Sequence, residues 1–190
     1  MARRYGEHAK QILTSLTQAG GFILAANSPY FGIQLWKHIL KLKTPYEEHI
    51  EELKKFSMAL RRLKQSRLVL ISEKEDGAFV TELTEQGRRR VREFQFADLK
   101  IKKLKVWDKI WRMVAFDIPN TKNKARGALR SKLKYLGFYQ IQKSIWVFPY
   151  PCEQEIEFLV ELFGVYPYVH LMEVRKIKND GKLKKHFHLL

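Results

Sequence analysis

The chain has 190 residues, and its 36 Lys+Arg against 20 Asp+Glu leave a formal net charge of +16, an excess that predicts an anionic partner. With 45% hydrophobic and 13% aromatic residues it holds enough apolar material for one or two cores, which excludes a disordered chain. No apolar run approaches the ~20 residues of a bilayer span, Met1-Ala2-Arg3-Arg4 lacks the apolar stretch of a signal peptide, and the single cysteine excludes a disulfide framework, so the expectation is a cytoplasmic, reduced protein with no membrane partner.

In chain order, Ile12, Leu13 and Leu16 predict an N-terminal helix that reaches toward Phe22 and breaks near Gly20-Gly21, and Leu35, Ile39 and Leu40 predict a second. Thr44-Pro45-Tyr46-Glu47 is an N-cap with proline at the first helical position and glutamate at the third. Ile50, Leu53, Phe56, Leu60 and Leu63 then follow at helical spacing. The period switches to two at Leu68, Leu70 and Ser72. A polar turn over 73–77 ending in Asp76-Gly77 and a returning run over 79–83 predict a β-hairpin, and Thr84 caps a further helix. Helices, a hairpin and a helix within residues 1–95 are the ingredients of a winged helix-turn-helix. Between Arg88 and Lys105 basic residues alternate with Val91, Phe94, Leu99, Ile101 and Leu104, which reads as a helical connector, set at 96–106 between the two domains.

The second half predicts a buried strand over 111–117, a turn at Pro119-Asn120, and a helix capped by Thr121 with Ala125, Leu129, Leu133 and Leu136 on one face, ended by Gly137. Short strands over 138–142 and 144–148, a helix over 153–163 and a last strand over 168–177 complete a β-α-β-β-α-β order. That is the ferredoxin-like split motif over 107–178, followed by a basic tail over 179–190. The fold class is therefore α+β, with an N-terminal winged helix-turn-helix and a C-terminal ferredoxin-like domain. Both halves are basic: 18 basic against 12 acidic side chains up to residue 100, net +6, and 18 against 8 after it, net +10.

The run Trp107-Asp108-Lys109-Ile110-Trp111-Arg112-Met113-Val114-Ala115-Phe116-Asp117-Ile118-Pro119 resembles the W-D-x-x-W-x-x-V-x-F-D-x-P signature of the phenylacetic-acid catabolon repressor (PaaX) family. Leu136-Gly137-Phe138 and Ser144-Ile145-Trp146-Val147-Phe148-Pro149 resemble its downstream L-G-F and S-V-W-V-x-P elements. The resemblance covers about residues 50–176. It implies a DNA-binding repressor whose central domain is similar to the ferredoxin-like CRISPR adaptation protein Cas-two, and it places Asp117 where that protein family keeps a metal-binding aspartate.

The candidate DNA-binding residues are Lys54, Lys55, Ser57, Arg61, Arg62, Lys64 and Arg67 on the predicted recognition segment, Lys74 in the wing, and Arg88 and Arg89 after it. Such cations neutralise phosphates, and Arg reads guanine edges from a helix in the major groove. The blander alternative is a solvated face laced with ion pairs, but the acids Glu47, Glu48, Glu51 and Glu52 cluster before the later turns. Asp117 has two readings. It caps the turn at 119–121, or it holds Mg²⁺ together with its copy in a twofold mate. Trp107, Trp111 and Trp146 read as core, His186 and His188 as part of a flexible basic end, and Cys152 as an unreactive thiol unless the adjoining helix start lowers its pKa. No P-loop, G-x-S-x-G, H-E-x-x-H or G-x-G-x-x-G occurs.

These readings converge on a homodimeric, sequence-specific transcriptional repressor bound to double-stranded DNA and carrying no cofactor. Its small-molecule effector, if one exists, is not specified by the chain. The alternative of another class is a Cas-two-like, Mg²⁺-dependent nuclease or CRISPR adaptation component acting on duplex DNA, with Asp117 as its metal-binding and catalytic residue. A third reading is an architectural DNA-binding protein without sequence preference.

Overall fold

A computed structural model describes residues 6–19, 22–24, 50–73, 75 and 79–189. The chain divides into two compact units, Met1–Ala97 and Asp98–Leu190, each combining helices with an antiparallel sheet. Among the described residues, no helix is long and apolar enough to cross a membrane.

In the first unit, α1 (Glu7–Ala19) buries Ala9, Ile12, Leu13 and Leu16, an i, i+3, i+4, i+7 stripe. The chain then enters β1 (Phe22–Leu24), so Phe22 belongs to a strand rather than to the first helix, as the glycine pair before it allows. The second predicted helix around Leu35 and the cap at Thr44-Pro45 lie outside the described residues. Helix α2 (Ile50–Gln65) buries Phe56, Leu60 and Leu63 against α1. It ends at Arg67, which takes the left-handed conformation (φ 55°). Arg67 N–H donates to the Lys64 carbonyl and Leu68 N–H to the Leu63 carbonyl, both at 3.0 Å, which closes the helix and turns Leu68 into the core.

Strands β2 (Val69–Glu73) and β3 (Phe79–Leu83) pair antiparallel from Val69↔Leu83 to Glu73↔Phe79, and β1 joins the other edge of β3. The hairpin is where the sequence places it, but its inward face is not. Val69, Thr81 and Leu83 are buried while Leu70 is 57% exposed, because Leu68 closes the preceding helix and the strand alternation begins one residue later. Helix α3 (Glu85–Asp98) is capped as expected by Thr84, whose hydroxyl accepts the Gly87 N–H (3.0 Å) and donates to the Arg67 carbonyl (2.6 Å). The two helix ends are thereby tied together. A Cβ at Gly87 would lie 2.1 Å from the Leu68 carbonyl oxygen, so only glycine allows this approach. Thermal denaturation of Gly87→Ala is expected to show a loss of about 1–3 kcal/mol or more, against about 1 kcal/mol for Thr84→Ala.

Helix α3 stops at Asp98, and residues 99–110 form neither helix nor strand, so the expected helical connector does not extend through 106. Lys100, Lys102, Lys103 and Lys105 stand there without an acidic residue between them, and like charges at that spacing work against a helix. The second unit then runs β4 (Trp111–Phe116), a 3₁₀ turn (Asn120–Lys122), α4 (Asn123–Tyr135), β5 (Tyr139–Gln142), β6 (Ile145–Phe148) and α5 (Glu153–Leu162). A second 3₁₀ turn (Tyr166–Tyr168), β7 (Val169–Val174) and α6 (Gly181–Phe187) follow. The sheet order is β5-β6-β4-β7 with every neighbouring pair antiparallel, and an irregularity at Gln140/Gln142 bends β5. Gly137, at φ 90°, ends α4 at the position the sequence predicts, with Phe138 N–H on the Leu133 carbonyl at 3.0 Å.

The central strand β4 is buried on both sides. Val114 lies opposite Trp146 on one face, and on the other Trp111 and Val147 pack with Leu183 of α6. The segment expected to be a basic tail is therefore a helix. Leu183 and Phe187 sit four residues apart among the lysines, and both reach the Trp111 cluster. Leu183→Ala is expected to lower the stability of this unit by about 2–5 kcal/mol in denaturant unfolding, the range for a buried leucine, where a solvated tail would give no change.

Candidate nucleic-acid interface

Burying Phe56, Leu60 and Leu63 leaves the opposite side of α2 to its charged residues. Lys54, Ser57, Arg61 and Lys64 follow one another at i, i+3, i+7 and i+10 and form one exposed stripe, with Lys55 and Arg62 beside it. Lys54 is partly neutralised by Glu51 at 3.3 Å. Among the described residues Arg61, Arg62 and Lys64 have no ion-pair partner, and neither has Arg67, whose guanidinium is exposed just past the helix end. In α3, Glu85 takes up Arg88 (3.8 Å) and Arg92 (3.4 Å), while Arg89 is exposed without an ion pair among the described residues. Lys74 lies outside the described residues. The structure thus divides the predicted set: Lys54 and Arg88 are held by acids on their own helix, while Arg61, Arg62, Lys64, Arg67 and Arg89 face water without an ion pair among the described residues.

Asp117 follows β4, and its N–H donates to the Tyr168 carbonyl at 2.9 Å. Its carboxylate is exposed and has no side-chain partner among the described residues. Neither the 3₁₀ turn nor α4 carries a side-chain cap, so the expected capping roles of Asp117 and Thr121 are not realised. The 3₁₀ turn begins at Asn120 and shifts the start of α4 to Asn123, beyond the reach of both residues. Among the described residues no group of three His, Cys, Asp or Glu is placed to hold a metal ion, so the surroundings of Asp117 do not fit a resident Mg²⁺ within one chain.

Sequence reasoning missed Arg112. This arginine is on the central strand with its side chain 5% exposed, and Asp108 (2.7 Å), Glu173 (3.4 Å) and Glu153 (3.9 Å) surround it. Its Nη1 also donates to the Ile110 carbonyl at 3.0 Å. Trp107 packs on Trp111 with ring centroids 4.6 Å apart, and its indole N–H donates to the Ile110 carbonyl. The W-D-x-x-W-R run is therefore a packing and ion-pair knot at the entrance of β4. The i, i+4 spacing of Asp108 and Arg112 was the available signal, concealed because the pair spans a turn and a strand rather than a helix. Trp111 and Trp146 are buried, as the sequence predicts. His186 packs edge-on against Tyr139. Cys152 is buried, and burial pushes its thiol up to about 12, with the Glu153 and Glu155 carboxylates adding to the rise, so the helix start does not activate it.

Burial alone would raise the Asp108 carboxyl, but the hydrogen bond and charge of Arg112 and the Ile110 N–H hold it below its ordinary value. A depressed carboxyl contributes stability that is present above its unfolded pKa, about 3.9, and is lost as pH falls through the folded value. Asp108→Asn is expected to cost about 1.5–3 kcal/mol at neutral pH and to flatten the fall of the melting temperature below pH 4, measured by calorimetry across pH.

Residues 104–185 match the family model described as the PaaX protein central Cas2-like domain. Among solved structures, the chain is similar to an uncharacterized protein, Rv0674, from Mycobacterium tuberculosis, with 17% sequence identity and a TM-score of 0.36 over 85% of this chain. The chain spans 66% of the length of that protein. No curated protein matches it. The match spans the Trp107-to-Arg112 knot and the four-stranded sheet, so the second unit carries a domain similar to the PaaX central Cas2-like domain.

Proposed function

We propose that the chain is a cytoplasmic transcriptional repressor that binds double-stranded DNA sequence-specifically as a homodimer. The PaaX family is one of transcriptional regulators, and the observation that carries the finer reading is the outer face of α2. There Arg61, Arg62 and Lys64 stand exposed without ion-pair partners among the described residues, on the helix that precedes an antiparallel hairpin. The order α1, β1, α2, β2, β3 and the sheet order β1-β3-β2 support reading the first unit as a winged helix-turn-helix, with α2 in the major groove and the hairpin as wing. The sheet order β5-β6-β4-β7 supports a ferredoxin-like second unit. Its edge strands β5 and β7 expose Ile141 and Met172, which favours a twofold mate there, and two copies then address a two-part DNA site.

The test is retention of labelled genomic fragments by purified protein, with and without Mg²⁺. Selective retention without cleavage is expected. Arg61→Ala and Arg62→Ala are each expected to weaken binding to the retained fragment by about 1–3 kcal/mol where the side chain meets a base. Binding unchanged in both variants contradicts the assignment of α2. Cleavage that needs Mg²⁺ and disappears in a folded Asp117→Ala variant contradicts the repressor reading. Sedimentation of the protein at tens of micromolar is expected to give the mass of a dimer.

A further inference from the structure

A second cationic surface lies within the unit Asp98–Leu190. A groove of about 1030 Å³ opens between residues 105–109, the loop after β7 and helix α6, and Lys105, Lys109, Arg175, Lys176, Lys178 and Lys184 line it. Asp180 is the one acid in its lining, and it is held by Lys184 at 3.1 Å. The other five cations have no ion-pair partner among the described residues, and all five are exposed. Cations gathered in one groove repel one another unless an anionic ligand relieves them.

The backbone around the groove is also unusual. Of the four non-glycine residues with left-handed φ among those described, three line it: Lys109 (62°), Asn179 (59°) and His188 (54°). Side chains with a Cβ take this conformation only where the surrounding structure enforces it, and such residues cluster at functional sites. His188 takes it as the cap that ends α6, and Lys109 and Asn179 stand beside segments that pack on the Trp111 cluster. Trp107 packs on Trp111 at one wall, and Leu183 and Phe187 fix α6 at the other.

We infer that this groove is a sequence-independent contact for the phosphate backbone of duplex DNA, additional to the face of α2; the inference rests on the DNA-binding reading above. The aromatic groups at its floor are committed elsewhere. The Trp107 N–H bonds the Ile110 carbonyl and Tyr150 packs edge-on against Phe148, while six cations line the groove, so charge is the larger part of what it offers a ligand. Its volume is at the upper end of small-ligand sites and its cations come from three separate segments, an arrangement that successive phosphates engage together.

The test uses the full chain carrying Lys105→Gln, Lys176→Gln and Lys178→Gln together, and a control carrying Lys143→Gln, Lys182→Gln and Lys185→Gln, three exposed lysines outside the groove lining with the same loss of charge. Affinity is measured for a retained fragment and for a shuffled duplex over a salt series. The groove variant is expected to bind both duplexes more weakly by the same factor. Its plot of log affinity against log salt is expected to be shallower by about 0.9 for each phosphate no longer neutralised, up to about 2.7. The control is expected to keep the wild-type slope. A groove variant that binds like wild type, or a control that weakens as much, overturns the inference while leaving the role of α2 intact. A wild-type protein that binds neither duplex overturns the DNA-binding reading and the inference with it.

Discussion

Twenty acidic side chains cannot neutralise thirty-six basic ones, and where the acids go decides what this molecule presents to solvent. Three of them, Asp108, Glu153 and Glu173, gather around the buried Arg112. A cation taken out of water in the middle of a sheet is tolerated only with such company. Others are placed along helices: Glu7 beside Lys10, Glu51 beside Lys54, Glu85 beside Arg88 and Arg92, and Glu93 beside Arg90. Exposed pairs of this kind contribute at most about 1 kcal/mol each. Their larger consequence is selection, because each pair removes one cation from the set that an outside anion meets. Among the described residues, two groups of the cations left over lie on the outer side of α2 and along the groove beside α6.

The two units reach this result by different local means. In the first, a left-handed Arg67, the capping hydroxyl of Thr84 and the bare backbone of Gly87 bring two helix ends together, so that Arg67 and the start of α3 follow directly on the face of α2. In the second, the entrance of β4 does the organising. Trp107 packs at a tilt against Trp111, Asp108 and Arg112 pair, and α6 covers Trp111 through Leu183 and Phe187. The motif that carries the family resemblance is thus a folding device. Its tryptophans make an apolar anchor, and its aspartate balances the buried guanidinium.

The legible parts of the sequence are those whose signals are local. Helix α2 announces itself by a periodic stripe, Gly137 by its place after α4, and the hairpin by a change of period between two helices. The β-α-β-β-α-β connectivity of the second unit follows from the same signals. Misreadings arise where distant residues decide. Leu183 and Phe187 look like interruptions in a basic tail until Trp111 is known to lie opposite them. Leu70 looks inward when the alternation is counted from Leu68, which belongs to the helix end. Asp117 sits in a sequence that suits a cap, yet the 3₁₀ turn displaces the helix start beyond it. The DNA-facing candidates are legible as a group, but which of them stay unpaired depends on acids whose rotamers no composition reveals. The groove is illegible because its walls come from three segments brought together by tertiary packing.

On the proposed reading, unpaired surface cations govern what this protein binds. The most direct measurement is the equilibrium affinity of the full chain for one duplex between about 50 and 300 mM salt. Arg61, Arg62, Lys64, Arg67 and Arg89 on the first unit alone predict a slope of log affinity against log salt of about −4 or steeper, at about 0.9 per neutralised phosphate. A slope near zero, with affinity unchanged across the series, would contradict it.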